Sequence, residues 1–481
     1  MIHTRLDALA AVTGGVVSDG DPATLVSAPA SVDSRDVAPG GLFVAVPGER
    51  VDGHDFAAHA VASGAAAVLA ARPLGVPAVV VDNPVAALGR VGRYVVDSLG
   101  VAVVGVTGSQ GKTSTKDLLA VVLALAGPVV APRGSLNNEL GVPLTATRAD
   151  RSTLHLVVEM GARGAGHIRD LCQITPPQIG LVLNVGLAHL SEFGSREAIG
   201  NAKGELVEAL PPEGVAVLNA DDPLVARMRS RTRARALSFG QDPAADVRLG
   251  NVGLDDRGRA RFTLTHAGRQ VAVELRLLGE HQAINAAAAA AVALARGLDL
   301  ADIAAGLSTA VPASAWRMEP HERADGVLVL NDTYNANPDS MRAALKTLVG
   351  VARSRGSGRT VAVLGSMREL GATSAGEHDA IGRLAAQLSV SLLVVVGEDA
   401  RPLHQGACHE GSWQGESLLV ADAAAASQLL AEQVQPGDVV LVKASRSEGL
   451  ERVADALLAA PGDTAAGSPA GGRDDEGVHV R

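Results

Sequence analysis

Val101-Ala-Val-Val-Gly-Val-Thr-Gly-Ser-Gln-Gly-Lys-Thr-Ser-Thr-Lys-Asp117 decides how this chain is read. Val101 to Val106 form an apolar run suited to a short buried strand, Thr107 to Gly111 a glycine-rich turn, and Lys112 opens a helix through Leu118, Leu119 and Val122. Such a turn points successive backbone N–H groups at one place, and the helix N-terminus adds partial positive charge there. A lysine at the helix start reaches the terminal phosphates of a nucleotide, and the hydroxyl after it is placed to ligate Mg²⁺. Thr107, Gly108, Ser109, Gln110, Gly111, Lys112 and Thr113 are therefore the candidate nucleotide cradle. The common phosphate-loop spacing puts a glycine where Val106 stands. This chain has the variant Gly105-x-x-Gly108-x-x-Gly111-Lys112-Thr113.

The 481 residues exceed what a single core accommodates and imply about three domains. Aromatic residues are only 2%, so the core must be built from Val, Leu, Ile and Ala. Two cysteines far apart, Cys172 and Cys408, argue against a disulfide framework and fit a reducing cytoplasm, each read as a small buried hydrophobe. The start Met-Ile-His-Thr-Arg-Leu-Asp lacks the basic and apolar blocks of a signal peptide, and no apolar run is long enough for a bilayer. The net charge of −10 disfavours nucleic acid as a partner, and the Arg227–Arg235 cluster, without aromatics, reads as a solvated face.

Three segments follow: 1–97 with short strands and Ala-rich helices, 98–313 around the phosphate loop, and 314–461 with a second strand–helix rhythm. Residues 462–481 are Pro/Gly/Ser-rich and read as a disordered tail. In the middle segment the strands 154–159, 179–185 and 215–219 alternate with helices, which predicts a mostly parallel α/β sheet with ligands at its carboxyl edge. Glu159 closes one of these strands; alone, such an acid is more often a helix cap or a surface group, but with Thr113 already implying Mg²⁺ the reading as a ligand of a hard cation is the better one. His189 follows another strand end, as a ligand, a group orienting one, or a structural histidine. Taken alone, Lys203 reads as a surface charge. In the last segment Asn331-Asp-Thr-Tyr-Asn-Ala-Asn-Pro338 sits between a strand and a helix expected over 341–348. Such a turn serves either a ligand or the helix cap. Arg317, Lys443 and Arg446 are cations able to meet phosphate or carboxylate.

Taken in order, Val-Thr-Gly-Ser-Gln-Gly-Lys-Thr (106–113), Leu-Asn-Asn-Glu-Leu-Gly-Val-Pro-Leu-Thr (136–145), Glu-Met-Gly-Ala-Arg (159–163), Lys-Gly-Glu-Leu (203–206), Gly-Glu-His-Gln-Ala-Ile-Asn-Ala (279–286), Asp-Thr-Tyr-Asn-Ala-Asn-Pro (332–338), Val-Leu-Gly-Ser-Met-Arg-Glu-Leu-Gly (363–371) and Val-Lys-Ala-Ser-Arg (442–446) resemble the Mur ligases. These are ATP-dependent amide-bond ligases of bacterial cell-wall synthesis. Asn-Asn-Glu-Leu-Gly, Tyr-Asn-Ala-Asn-Pro and Met-Arg-Glu-Leu-Gly are similar to the member that joins D-alanyl-D-alanine to UDP-N-acetylmuramoyl-tripeptide.

The resemblance implies three α/β domains: a small uridine-nucleotide domain, a central phosphate-loop ATPase domain and a C-terminal Rossmann-like domain. It implies that Lys112 and the loop hold the β- and γ-phosphates, and that Thr113 and Glu159 hold one Mg²⁺. His189, Glu159 and a carbamylated Lys203 would hold a second. Asn285 would pack on adenine, and Arg317 and Asp332 would meet phosphate and ribose from across the domain boundary. Ser34, Arg35, Asp52 and His54 would form the uridine site, with Asn137 and Asn138 near the muramoyl peptide. Tyr334, Asn335, Asn337, Lys443, Ser445 and Arg446 would face the peptide and the incoming dipeptide. The implied chemistry is attack of the peptide carboxylate on ATP to give an acyl phosphate, then attack of the dipeptide amine. The implied setting is a cytoplasmic monomer.

Some positions depart from that pattern. Ser366 stands where an acid is usual, Ala444 where glycine is usual, Ser447-Glu448 replaces Gly-Met, and Trp316 precedes Arg317. Three other readings remain: a sibling ligase with a different acceptor, a non-catalytic muropeptide binder, and a plain ATPase switch. The Tyr-Asn-Ala-Asn-Pro stretch argues against a sibling. Retention of Lys112, Glu159 and Lys203 argues against a binder, and the two flanking domains argue against a switch.

Overall fold

A computed structural model describes residues 1–48, 51–188, 190–356 and 359–459. Among these, strands gather into sheets of five, nine and six, plus the two-stranded ribbon Thr4–Arg5 with Leu25–Val26. Each large sheet belongs to one of three α/β domains.

The nine-stranded sheet positions the site. From the centre to one edge its strands are Val215–Asn219, Ile179–Val182, Ala102–Thr107, His155–Glu159 and Val129–Val130, adjacent in that order and all parallel. Parallel alignment puts the carboxyl ends of Ala102–Thr107, His155–Glu159 and Ile179–Val182 at one edge, so Thr107, Glu159 and the segment after Val182 converge. All three strands are buried on both faces, consistent with sequences dominated by β-branched and aliphatic residues.

The sheet is less uniformly parallel than the sequence suggests. Beyond Arg235–Gly240 the strands Val247–Leu254, Arg259–His266 and Arg269–Leu278 continue it as an antiparallel meander. Their alternating polar and apolar residues, buried on one face only, account for the difference.

The helix His281–Ala295 packs against the phosphate-loop helix Lys112–Leu123. Six successive alanines, Ala286–Ala291, are fully buried in it. Methyl-sized side chains let the two helices approach closely, and enlarging one would overpack the seam by about 1–3 kcal/mol.

In the six-stranded sheet Leu328–Asn331, Val439–Lys443, Thr360–Leu364, Leu392–Val396 and Glu416–Val420 run parallel, with Glu319–Glu322 antiparallel at one edge. The helix expected over 341–348 is longer, Pro338–Ser354. Pro338 occupies its first position, where no N–H is needed, and Asn337 with Ser340 closes a reciprocal cap.

Two surface expectations change. Arg231 is not solvated like its neighbours: it donates to the carbonyls of Gly200 and Asn201 and pairs with Glu208, lying across the helix Arg196–Glu208. Cys172 is buried as expected, and its thiol is pushed up to about 12 by burial. Cys408 is exposed because it ends an amphipathic helix, Arg401–Cys408. No helix among the described residues is long and apolar enough to cross a membrane.

Candidate active site

The turn after Ala102–Thr107 depends on Gly111, which adopts φ +79° as the N-cap of the following helix. A Cβ there would lie 2.5 Å from Asn285 Oδ1, so glycine is required by conformation and by space. Lys112 Nζ folds back and donates to the Gly108 carbonyl at 2.7 Å. Burial holds its ammonium below the usual lysine range, the nearby Glu159 charge opposes this, and Arg317 adds to it.

Thr113 Oγ1 donates to Glu159 Oε2 at 3.0 Å, and Asn137 Nδ2 donates to Glu159 Oε1 at 2.8 Å. Arg317 Nη2, from the C-terminal domain, donates to the same Thr113 oxygen at 3.0 Å. Glu159 is 1% exposed. Lys203, on the helix Arg196–Glu208, is 5% exposed and has no carboxylate within ion-pairing distance among the described residues. Burial, and then repulsion from Lys112, push its pKa well down. The buried Glu159 carboxylate thus lies near Lys112 and, through Thr113, Arg317, with Lys203 buried close to Lys112, a gathering of basic groups that suits anionic ligands.

The helix bearing Lys203 is firmly braced. Glu205, 4% exposed, accepts the N–H groups of Gly166 and Arg169 and so caps the neighbouring helix His167–Ile174. Gly204 makes room for Arg231, since a Cβ would lie 1.9 Å from its guanidinium.

A group that the sequence reading missed is Asn184. Its Oδ1 accepts both Ser109 N–H and Gln110 N–H at 3.0 Å, and its Nδ2 donates to the Gln110 carbonyl at 3.2 Å. The neighbouring Gly186 N–H donates to Ser109 Oγ at 2.8 Å. Asn184 therefore holds one side of the phosphate loop in shape. The rule that ligand groups gather past carboxyl strand ends could have flagged it.

The C-terminal domain adds a second layer. The Arg317 guanidinium stacks 4.0 Å over the Tyr334 ring, whose hydroxyl contacts Ser135 Oγ of the central domain. Arg317 Nε is buried without an acceptor. Asp332 Oδ2 pairs with Lys443 Nζ at 2.8 Å, and Lys443, 2% exposed, also donates to the Asn335 carbonyl at 2.7 Å. Burial lowers the Lys443 pKa, with Asp332 opposing. Arg446 stacks 4.3 Å over Trp316 and pairs with Glu451 at 2.9 Å. Ser445 Oγ accepts Arg368 N–H at 2.9 Å, and the Ser366 hydroxyl is buried without a partner.

Other candidates have local duties. Asn138 Oδ1 caps the helix Gly141–Ala146 through Gly141 N–H, and Asn337 serves the cap described above. Asn285 Nδ2 donates to Gln282 Oε1, beside the phosphate loop. In the N-terminal domain Ser34 is buried and Arg35 pairs with Asp33. His54 Nε2 accepts Ala71 N–H, so its Nδ1–H donates to Asp52 Oδ1 at 2.5 Å. That fixes a neutral tautomer. His189 lies outside the described residues, as does the tail 462–481.

Three stretches match family models in sequence order: residues 30–101 the Mur ligase family catalytic domain, 106–293 the Mur ligase middle domain, and 316–446 the Mur ligase glutamate ligase domain. This chain is a Mur ligase. It is 49% identical over 501 residues to the UDP-N-acetylmuramoyl-tripeptide–D-alanyl-D-alanine ligase of Mycobacterium tuberculosis, covering 95% of this chain and 98% of that one. The enzyme of the same name from Escherichia coli is 35% identical over 461 residues, covering 95% and 99%. Among solved structures, MurF from Acinetobacter baumannii superposes with a TM-score of 0.84 at 34% identity, covering 95% and 99%. MurF ligase from Thermotoga maritima in complex with ADP gives 0.76 at 31%, covering 90% and 97%. Against this background the phosphate loop, Glu159 and the linker at Trp316–Arg317 of this Mur ligase lie within or at the edge of its matched middle and C-terminal stretches.

Proposed function

We propose that this Mur ligase joins D-alanyl-D-alanine to UDP-N-acetylmuramoyl-tripeptide with consumption of ATP. The observation that carries the reading is the gathering of Lys112, the Thr113 hydroxyl and Arg317 about the buried carboxylate Glu159 at the phosphate-loop mouth. That arrangement suits polyphosphate and carboxylate substrates. We infer domains over 1–97, 98–313 and 314–461, acting as a cytoplasmic monomer.

The terminal carboxylate of the tripeptide attacks the γ-phosphorus of ATP, forming an acyl phosphate and releasing ADP. Lys112 and the buried Nε of Arg317 offset charge on the transferring phosphoryl group. The dipeptide amine then attacks the acyl carbon, loses its proton, and the tetrahedral intermediate expels phosphate. Asn285, which lies against Gly111 of the phosphate loop, would pack on adenine, and Asp332 with Lys443 forms a fixed polar wall on the C-terminal side. Tyr334, Asn335, Ser445 and Arg446 would line the approach of the dipeptide, and Asn137 and Asn138 that of the muramoyl peptide. Ser34, Arg35, Asp52 and His54 would serve the uridine end, His54 by shaping the pocket, since both its ring nitrogens are engaged.

The donor set fits Mg²⁺ held jointly with nucleotide. No group of three or more His, Cys, Asp or Glu side chains gathers among the described residues, while Thr113 and Glu159 offer two hard oxygens 3.0 Å apart. Mg²⁺ is commonly held by one or two carboxylates plus substrate phosphates. When bound it would shield phosphate charge. A second ion would draw on Glu159, His189 and a carbamylated Lys203. The neutral amine favoured by burial at Lys203 can add to carbon dioxide and lose a proton, giving a carbamate anion that offsets Lys112.

An isotope experiment tests this chemistry. Tripeptide carrying oxygen-18 in its terminal carboxylate should yield phosphate bearing one labelled oxygen for each amide formed. Unlabelled phosphate would exclude the acyl-phosphate route.

A further inference from the structure

Asp339 lies in the first turn of the helix Pro338–Ser354, and it meets the central domain rather than its own. Its Oδ2 faces Gly186 so closely that a Cβ at position 186 would stand 2.3 Å away. The same oxygen accepts Leu187 N–H at 3.4 Å. Arg342 steadies the carboxylate from behind, 3.3 Å from Oδ1, and is itself paired with Glu377 at 2.8 Å. A second contact runs alongside: Ser191 Oγ donates to the Glu369 carbonyl at 3.0 Å.

What the carboxylate touches gives the contact its meaning. Gly186 N–H is bonded to Ser109 of the phosphate loop, and Asn184, two residues earlier, holds the N–H groups of Ser109 and Gln110. From the central domain alone the same segment is tied by Asp222 Oδ2 to Val185 N–H at 2.8 Å and by Arg196 Nε to the Val185 carbonyl at 2.7 Å. Its remaining face is the one that receives Asp339. We propose that Asp339 is a positioning residue: by seating on Gly186–Leu187 it fixes the C-terminal domain against the segment that shapes the phosphate loop, so that phosphoryl transfer and amine attack occur in one closed arrangement. An acidic residue in a first helical turn also serves the helix dipole, but that duty needs neither the Gly186 contact nor Leu187.

The inference rests on the ligase reading above, so the experiment first requires that the wild-type enzyme release one phosphate per amide formed; failure there would count against that reading, not against Asp339. Given coupled turnover, D339A is expected to lower kcat by about tenfold and to release phosphate in excess of product, because the acyl phosphate is left open to water. D339N keeps an acceptor oxygen and is expected to restore coupling. G186A, whose backbone conformation admits alanine, should reproduce the D339A defect by displacing the carboxylate. The double variant D339A/G186A should then be no worse than D339A, since the clash has gone. Thermal unfolding of each variant separates a general loss of fold from loss of coupling. Full kcat with one-to-one stoichiometry in D339A, or additive losses in the double variant, would overturn the proposal.

Discussion

Thr113 Oγ1 and Glu159 Oε2 stand 3.0 Å apart, joining the first turn of the phosphate-loop helix to the end of the neighbouring parallel strand. The pair exists because Ala102–Thr107 and His155–Glu159 run parallel in register, Val106 opposite Glu159. Removing the carboxylate leaves Lys112 without its nearby counter-charge and Thr113 without its acceptor. E159A is therefore expected to lower kcat by at least roughly a hundredfold, and E159Q by nearly as much, because the amide lacks charge. Titrating Mg²⁺ at saturating ATP checks this: the variants should need more metal for half-maximal rate, and unchanged metal dependence would contradict the assignment.

Asn184 yields a prediction about charge. N184A loses the bonds to Ser109 and Gln110 and should lower kcat/KM for ATP by about tenfold to a hundredfold. N184D keeps the acceptor but sets a negative charge beside the phosphates, so it should be worse than N184A. Steady-state kinetics in ATP decide the order of the two.

Much of this centre was legible from residues 101–117, because a strand, a glycine turn and Lys-Thr at a helix start constrain one another. Glu159 was legible through its strand end. Asn184 was not, because an asparagine closing an apolar strand looks like any other cap until the parallel register brings it beside Ser109. The meander over 247–278 also went unread, because polar residues on its solvent face interrupt the apolar runs by which the buried strands were recognised. The engagement of Asn337 in a helix cap, and of His54 with Asp52 and Ala71, likewise depends on contacts that spacing does not disclose.

Trp316, which has φ +59°, lies under the Arg446 guanidinium and holds it together with Glu451. An exposed cation–π contact contributes about 0.5–1 kcal/mol. W316A should therefore lower kcat/KM for the dipeptide by about two- to fivefold, with W316F close to wild type and the KM for ATP unmoved. Kinetics in each substrate separately check this.

Lys203 should show dependence on dissolved carbon dioxide. Enzyme depleted of bicarbonate is expected to lose activity and regain it on bicarbonate addition, and carbon-13 bicarbonate should give a carbamate NMR resonance absent from K203R. Full activity after depletion, with no such resonance, would remove the carbamate from the account.

Asp52 gives a pH prediction with a definite sign. Hydrogen bonds from His54 backbone and side chain, with Arg72, lower its pKa from 3.8 to about 2. The folded value lies below the unfolded one, so the contribution is fully present above 3.8 and is lost as pH falls through about 2. D52N should be less stable than wild type at neutral pH, and the gap should close across that window in acid unfolding curves. A gap independent of pH would assign the effect to packing.

The most direct test of the central claim is phosphate release from ATP with UDP-N-acetylmuramoyl-tripeptide, with and without D-alanyl-D-alanine, together with the mass of the product. Release should require both substrates and give a product heavier by one dipeptide. Release that ignores D-alanyl-D-alanine but responds to another amine, or tight muropeptide binding without turnover, would contradict it.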